Sequence, residues 1–433
     1  MKPEVGSVQK RKIISISLII SIVFGILYMV ILPFPASPDE NRHFLKIYSI
    51  TEGYILPSDE TILPDGLDIP DQYDLKYKEI SSHYGDTADY NNMKEYDLSR
   101  TAFYFPLVYT PQITGFMAAK AFTQKIYTIA LIGRIFGYIY NVCMICAAIS
   151  IIPFGEMIIF LSVFNPMYLQ QAVSLSGDSV VNALAVFLTA YILALRARRV
   201  KAIWPLFVIF PILAVCKMFY LPMVFLVLLI PKVCYKSLKK AVTARTAVIS
   251  VSVVLSAAWA YIVSRTTLYI ADEKTGSNLE YIISEPLKYL NIIGKSILSE
   301  GRTWVRQTFG GNLGWIAVNV FMPFILIYLL LFIYSALTEK GDIKLSDRIC
   351  IFSVDLAIFL IVLTTEYVQW TAYRADIIDG VQGRYFLPVI PMTFIAFSSN
   401  NIKLPQKYRK EIGCIYLIFY NMITLLTVYR SFT

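Results

Sequence analysis

Charge is scarce in this chain: only 16% of its 433 residues are Asp, Glu, Lys or Arg, and there are two histidines. Soluble domains carry about 25% charged and roughly 45–50% apolar residues, whereas 57% of this sequence is apolar. A single water-soluble domain is therefore excluded. Cysteine is also sparse, and none of the six lies in the polar stretch after the first apolar run, which rules out an extracellular disulfide framework. Cys143 and Cys146 form a C-x-x-C with no second pair or neighbouring histidine, so the pair reads as buried packing rather than a metal site. No G-x-x-x-x-G-K-[ST] or G-x-G-x-x-G loop is present, so the chain has no such backbone cradle for a nucleotide. Internal repeats, heptads and low-complexity tracts are missing as well.

What the chain has in abundance is apolar runs near the ~20-residue length that crosses a bilayer. The first, "IISISLIISIVFGILYMVILPF", follows the basic "KRK" at 10–12 and has no small-residue cleavage site after it, so it reads as an uncleaved first helix. The net charge of +9 is unevenly spread. Residues 35–100 hold 14 Asp/Glu against 6 Lys/Arg, a net of −8, leaving +17 on the rest. The short basic segments at 10–12, 196–201, 232–245, 339–348 and 403–410 report orientation rather than nucleic-acid binding. Placing all five in the cytoplasm demands an even number of helices between them. Runs at 13–34, 127–149, 153–173, 178–195, 202–216, 218–233, 247–264, 314–336, 349–368 and 385–399, plus one after 410, satisfy this. "TAFYFPLVYTPQITGFMAAKAF" (101–122), with two prolines and a lysine, suits a helix lying in the interface or re-entering it.

The expected fold is an all-α polytopic membrane protein. It has about 11 transmembrane helices in one integral domain over 1–433, a large extracytoplasmic loop at 35–126 with juxtamembrane helices, and a second such loop at 266–313. The N-terminus lies inside, and the polar segments that are not orientation signals gather outside.

Those polar segments hold the candidate chemistry. "SPDENRH" reads as a capping box with Ser37 at N-cap, Pro38 at N1 and Glu40 at N3. Asp39 and His43 then stand four apart on one helical face, and partial desolvation at the membrane surface is expected to raise the Asp39 pKa toward a general-base value. "SLSGDSVVNAL" places Asp178 and Asn182 similarly at another helix start. Lys217, between two helices too short to bury it, is either a snorkelling lysine or a counter-charge for a phosphate. Arg384 in "VQGRYFLPVIP", preceded by Arg374, Asp376 and Asp379, offers a guanidinium suited to a phosphodiester, with Gln382 and Tyr385 beside it. Within spans, Arg134 and Asp355 are expected to face the interior and pair with neighbours.

"SPDENRHFLKIYSITEG", "YFPLVYTPQITG" followed by "IGRIFGYIYNV", "PMYLQQAVSLSGDSVVNALAVFL", "GNLGWIAVNVFMP" and "VQGRYFLPVIP" occur in this order over residues 37–391. Together they resemble the bacterial membrane protein family known as domain of unknown function 2142. The plan is also similar to that of GT-C glycosyltransferases, which keep an acidic residue just past helix one and often a second acidic site before a later helix. Asp39, Glu40 and Asp178 occupy those places. The resemblance implies a transferase in the bacterial cytoplasmic membrane. It takes a sugar from a polyprenyl-phosphate donor to a cell-wall polymer, glycolipid or protein on the outer face. An acidic residue acts as base, and cations hold the leaving phosphate. Among substrate contacts it implies His43, Lys217, Arg374, Gln382, Arg384 and Tyr385. Some relatives use a divalent cation (Mg or Mn); this chain has no D-x-D or paired Asp-Glu at the second site. A transporter or flippase of glycans, or a non-catalytic polysaccharide-assembly partner, remain alternatives.

Overall fold

The first apolar run forms α1 (Glu4–Ile31), whose Ile19 and Val30 are 62% and 70% exposed, as a lipid-facing helix requires. The computed structural model describes residues 4–56, 58, 60–69, 76–266, 273–341, 343–398 and 408–433, with backbone alone at 4–13 and 273–277. The acidic stretch after α1 holds α2 (Glu40–Thr51), β1 (Thr61–Asp65), α3 (Tyr77–Ser82) and β2 (Asp89–Tyr96). Its strands pair antiparallel, and a second two-stranded pair, β3 (Asn312–Leu313) with β4 (Val318–Asn319), lies in the later loop. These two small sheets are the departure from an all-helical plan.

Segment 101–122 gives 3-10 turns and α4 (Thr110–Lys120), which packs on α2 and on α5 (Ile126–Ile151). At ~1.5 Å per residue, its 11 residues are too short to cross a bilayer. Run 153–173 breaks into α6 (Glu156–Val163) and α7 (Pro166–Ala172). Asn165 caps the second by accepting from Met167 N at 2.9 Å, with Pro166 at N1. Then come α8 (Asp178–Arg196) and α9 (Leu206–Cys216), while 218–229 forms 3-10 turns around Pro222 in place of an α-helix. The chain continues through α10 (Leu238–Thr266), α11 (Glu273–Ser284), α12 (Pro286–Thr308), α13 (Met322–Thr338), α14 (Leu345–Gln369), α15 (Ile390–Ala396) and α16 (Arg409–Phe432).

Among the described residues six helices are long and apolar enough to span: the Ile14–Ile31 part of α1, and α5, α8, α10, α14 and α16. The other five expected runs form shorter or broken elements, because prolines and the β3–β4 hairpin interrupt them. The buried apolar residues form two large clusters. One joins α2, α4, α5, α8, α9, α10 and α14; the other joins α1, α6, α7, α13, α15 and α16.

Helix ends sort into two sets. Arg196 at the end of α8 pairs with Asp347 at the start of α14 (2.7 Å), and Arg409 opening α16 pairs with Glu339 after α13 (2.9 Å). Arg199 donates to Ile152 O just past α5 (2.9 Å), and Arg245 in α10 donates to Ile230 O (2.6 Å). The basic segments 196–201, 232–245 and 339–348 thus meet at one end of the bundle, with Arg409. Residues 403–407 and the side chains of 10–12 lie outside the described set. The end of α1, the starts of α5 and α8 and the end of α14 meet at the other end.

Candidate functional site

At that second end a cavity of about 370 Å³ opens, and Asp39, Arg42, His43, Arg100, Lys217, Glu366, Arg384 and Tyr385 are among its lining residues. Four of these are cationic and two are carboxylic acids.

Of the expected capping box only the return bond forms, Ser37 N donating to Glu40 Oε2 at 3.4 Å. The helix begins at Glu40, Asp39 takes a left-handed backbone (φ 60°), and Ser37 Oγ has no hydrogen-bond partner. Left-handed backbone is uncommon outside glycine, although Asp tolerates it better than most residues, and such positions cluster at functional sites. Here the conformation turns the carboxylate off the helix toward Arg384, which donates from Nη2 to Asp39 Oδ2 and from Nη1 to Pro38 O at 3.1 Å. The Asp39 side chain is 45% exposed to the cavity while that of Arg384 is 2% exposed. Burial pushes the Asp39 pKa up, but the Arg384 guanidinium more than offsets this and holds it below its ordinary value. The expectation of a raised pKa is therefore wrong. Burial lowers the Arg384 pKa, but Asp39, Tyr385, Asp178 and Tyr104 together outweigh it and raise the pKa well above the ordinary value.

Glu40, the next residue, turns away from the cavity. It is fully buried and accepts from Arg134 Nε at 2.7 Å and Nη2 at 2.5 Å, from Leu175 N at 2.9 Å and from Ser37 N at 3.4 Å. Arg134 also donates to Leu32 O at 2.7 Å. This clamp ties the end of α1, α2, α5 and the "SLSGDS" loop together. Arg134 pairs with a neighbour as expected, and Asp355 accepts from Thr393 Oγ1 at 2.8 Å.

The loop fixed by that clamp presents Ser176 and Asp178. Lys217, in extended backbone between α9 and the 3-10 turns, is 7% exposed rather than snorkelling. Its Nζ donates to Asp178 Oδ1 at 2.5 Å and lies 4.7 Å from the Tyr385 ring centroid and 5.3 Å from that of Tyr104. Asp178 Oδ2 is buried without a hydrogen-bond partner. His43 is held between Tyr109 Oη (2.7 Å from Nδ1) and Ser176 Oγ (3.2 Å from Nε2), with Tyr104 edge-on at 4.8 Å. Burial lowers its pKa to about 4, so it is neutral at physiological pH.

The turn Gly383–Phe386 carries Arg384 and Tyr385 and is anchored from α12. Gln307 Oε1 accepts from Gly383 N at 2.8 Å, and Thr308 Oγ1 donates to Gly383 O at 2.9 Å. A Cβ on Gly383 would sit 2.4 Å from Thr308 N and Trp304 O, so only glycine fits there. The hairpin of "GNLGW" locks on in the same way. Gln170 exchanges two hydrogen bonds with Gly314 (2.8 and 3.0 Å), and Trp315 Nε1 donates to Pro35 O at 2.9 Å.

Of the nine candidates, Asp39, His43, Lys217, Arg384 and Tyr385 line the cavity, and Asp178 joins it through Lys217. Glu40, Arg374 and Gln382 do not line it. Arg374 stacks between Tyr281 and Tyr373 (5.0 Å each), and Gln382 precedes the Arg384 turn with a buried, unpartnered Oε1. Arg42, Arg100, Tyr104 and Glu366 line the cavity without having been singled out. The signal for Glu366 is a carboxyl in the last turn of a helix whose preceding ten residues are uncharged.

A divalent cation does not fit this donor set. Asp39 and Asp178 are each committed to a cation, and no group of three or more His, Cys, Asp or Glu among the described residues is placed to hold a metal. All six cysteines are free, and Cys143 is exposed on α5 rather than buried.

These features define a multi-pass membrane protein with a cationic, carboxylate-bearing cavity at one end of its bundle. A family model described as "Predicted membrane protein (DUF2142)" matches residues 22–393, and the chain belongs to that family. No curated protein and no solved structure matches it.

Proposed function

We propose that the chain is a GT-C-like glycosyltransferase moving a sugar from a polyprenyl-phosphate donor to an extracytoplasmic acceptor in the bacterial cell envelope. The observation that carries this reading is the cavity wall of Arg42, Arg100, Lys217 and Arg384, an excess of positive charge beside Asp39. Such a wall suits an anionic phosphate. In this reading eleven segments span, the basic end faces the cytoplasm and the cavity faces outward.

Arg384 and Lys217 each hold a carboxylate in the absence of donor. A phosphate entering between them competes for both cations and releases Asp39 from Arg384, which makes it a stronger base. The acceptor hydroxyl oxygen attacks the anomeric carbon, and its proton passes to Asp39. The bond from that carbon to phosphate oxygen breaks, and the electron pair leaves on polyprenyl phosphate, which the two cations stabilise. His43, neutral and pinned by Tyr109 and Ser176, lines the cavity one helical turn after Asp39, its backbone N–H donating to Asp39 O at 3.0 Å.

Envelope glycans compared among wild type, Asp39→Asn and a deletion test this. Loss of one sugar substituent in both altered strains is expected; a wild-type glycan profile in Asp39→Asn contradicts the assigned base. One observation favours a second reading, carriage of a lipid-linked sugar. Lys217 stands at a break between two short apolar helices, as substrate groups do in transporters. Movement of intact lipid-linked sugar across proteoliposomes, with no polyprenyl phosphate released, selects that reading.

A further inference from the structure

The last turns of α14 contribute a further part of the cavity lining: Ile361, Thr365, Glu366, Gln369 and Trp370. At 100° per residue Glu366, Gln369 and Trp370 fall within a 100° arc of the helix. Glu366 is 3% exposed and its Oε2 has no hydrogen-bond partner, although buried polar atoms are nearly always paired. Trp370 is 54% exposed and ends the helix, its N–H donating to Glu366 O at 2.9 Å. Gly380, at φ 84°, closes behind both. A Cβ there would lie 2.6 Å from Glu366 Oε2 and 3.0 Å from Trp370 Cβ, so the loop holds carboxyl and indole as one unit.

The geometry points to a sugar-ring subsite, and we infer that Glu366, Gln369 and Trp370 bind the neutral hexose of the donor while Lys217 and Arg384 bind its phosphate. An indole face takes the apolar C–H face of a pyranose, and a carboxyl with an amide takes paired ring hydroxyls. A cavity whose lining sets an indole, an amide and a carboxyl beside its cations matches a sugar phosphate better than a bare phosphate. The inference rests on the transferase reading and names the part of the substrate that these residues read.

Binding to the purified protein in nanodiscs separates the two. The probes are sugar-free polyprenyl phosphate and the same lipid carrying glucose, galactose or mannose. Wild type is expected to bind at least one sugar-bearing lipid about three- to tenfold more tightly than the sugar-free one. Trp370→Ala and Glu366→Gln each bring sugar-bearing and sugar-free lipid to equal affinity, and Trp370→Phe restores part of the preference. A preference kept in both variants, or lacking in wild type, overturns the subsite alone. Failure of wild type to bind any of these lipids overturns the donor reading and the subsite with it.

Discussion

Arginine–carboxylate pairs at the two ends of the bundle are built differently. At the basic end Arg196 and Asp347 are equally shielded, 13% exposed each, and both partners hold backbone groups: Arg196 donates to Leu229 O, and Asp347 accepts from Lys344 N. At the other end the pairs diverge within one dipeptide. Glu40–Arg134 is closed on both sides and clamps four segments, whereas Asp39–Arg384 is buried on the cation side and open on the carboxylate side. A pair that only holds a fold together is closed; a carboxylate left open against a buried cation is available for exchange with another anion. That contrast separates Asp39 from Glu40 where composition and spacing do not.

The contrast can be broken by mutation. Glu40→Ala leaves Arg134 charged and buried, and should destabilise the protein by about 3–5 kcal/mol, read as loss of membrane yield and of melting temperature in detergent. Asp39→Asn should lower turnover about 100- to 10,000-fold with a far smaller melting shift, measured on protein of matched yield. His43 tests the same end through pH. Its folded pKa of about 4 lies below the ordinary 6.5, so the unfolded chain takes a proton first as pH falls. Stability is therefore lost between pH 6.5 and 4, by at most about 3 kcal/mol. Melting temperatures across that window should show this fall in wild type and a smaller one in His43→Gln. The smallest effect on function belongs to the basic end: Arg196→Gln should cost about 1–3 kcal/mol of stability and leave turnover unchanged.

Much of this was legible in sequence. Six of the eleven apolar runs formed long helices, and the five ordered segments meet in one contact network, because Glu40 binds Arg134 and Leu175, Asp39 binds Arg384 and Gln170 binds Gly314. The capping box misled because local pattern cannot see Arg134. The long-range clamp on Glu40 keeps only the Ser37 N bond of that box, and Asp39 takes a left-handed turn. The Asp39 pKa was misjudged for the same reason, since Arg384 lies 345 residues away. Lys217 looked exposed because its helices are short, yet Asp178 and four aromatic rings enclose it. Arg374 shared a polar segment with Arg384 but turns to Tyr281, and nothing in the spacing distinguishes the two.

The measurement that bears most directly on the transferase reading is release of polyprenyl phosphate from polyprenyl-phosphate sugars by the purified protein in proteoliposomes, with an envelope acceptor present. Acceptor-dependent release by wild type, lost in Asp39→Asn and retained in Arg196→Gln, is the result expected of a glycosyltransferase whose open carboxylate does the chemistry. Equal release by wild type and Asp39→Asn, or none from any sugar lipid that binds, would contradict it.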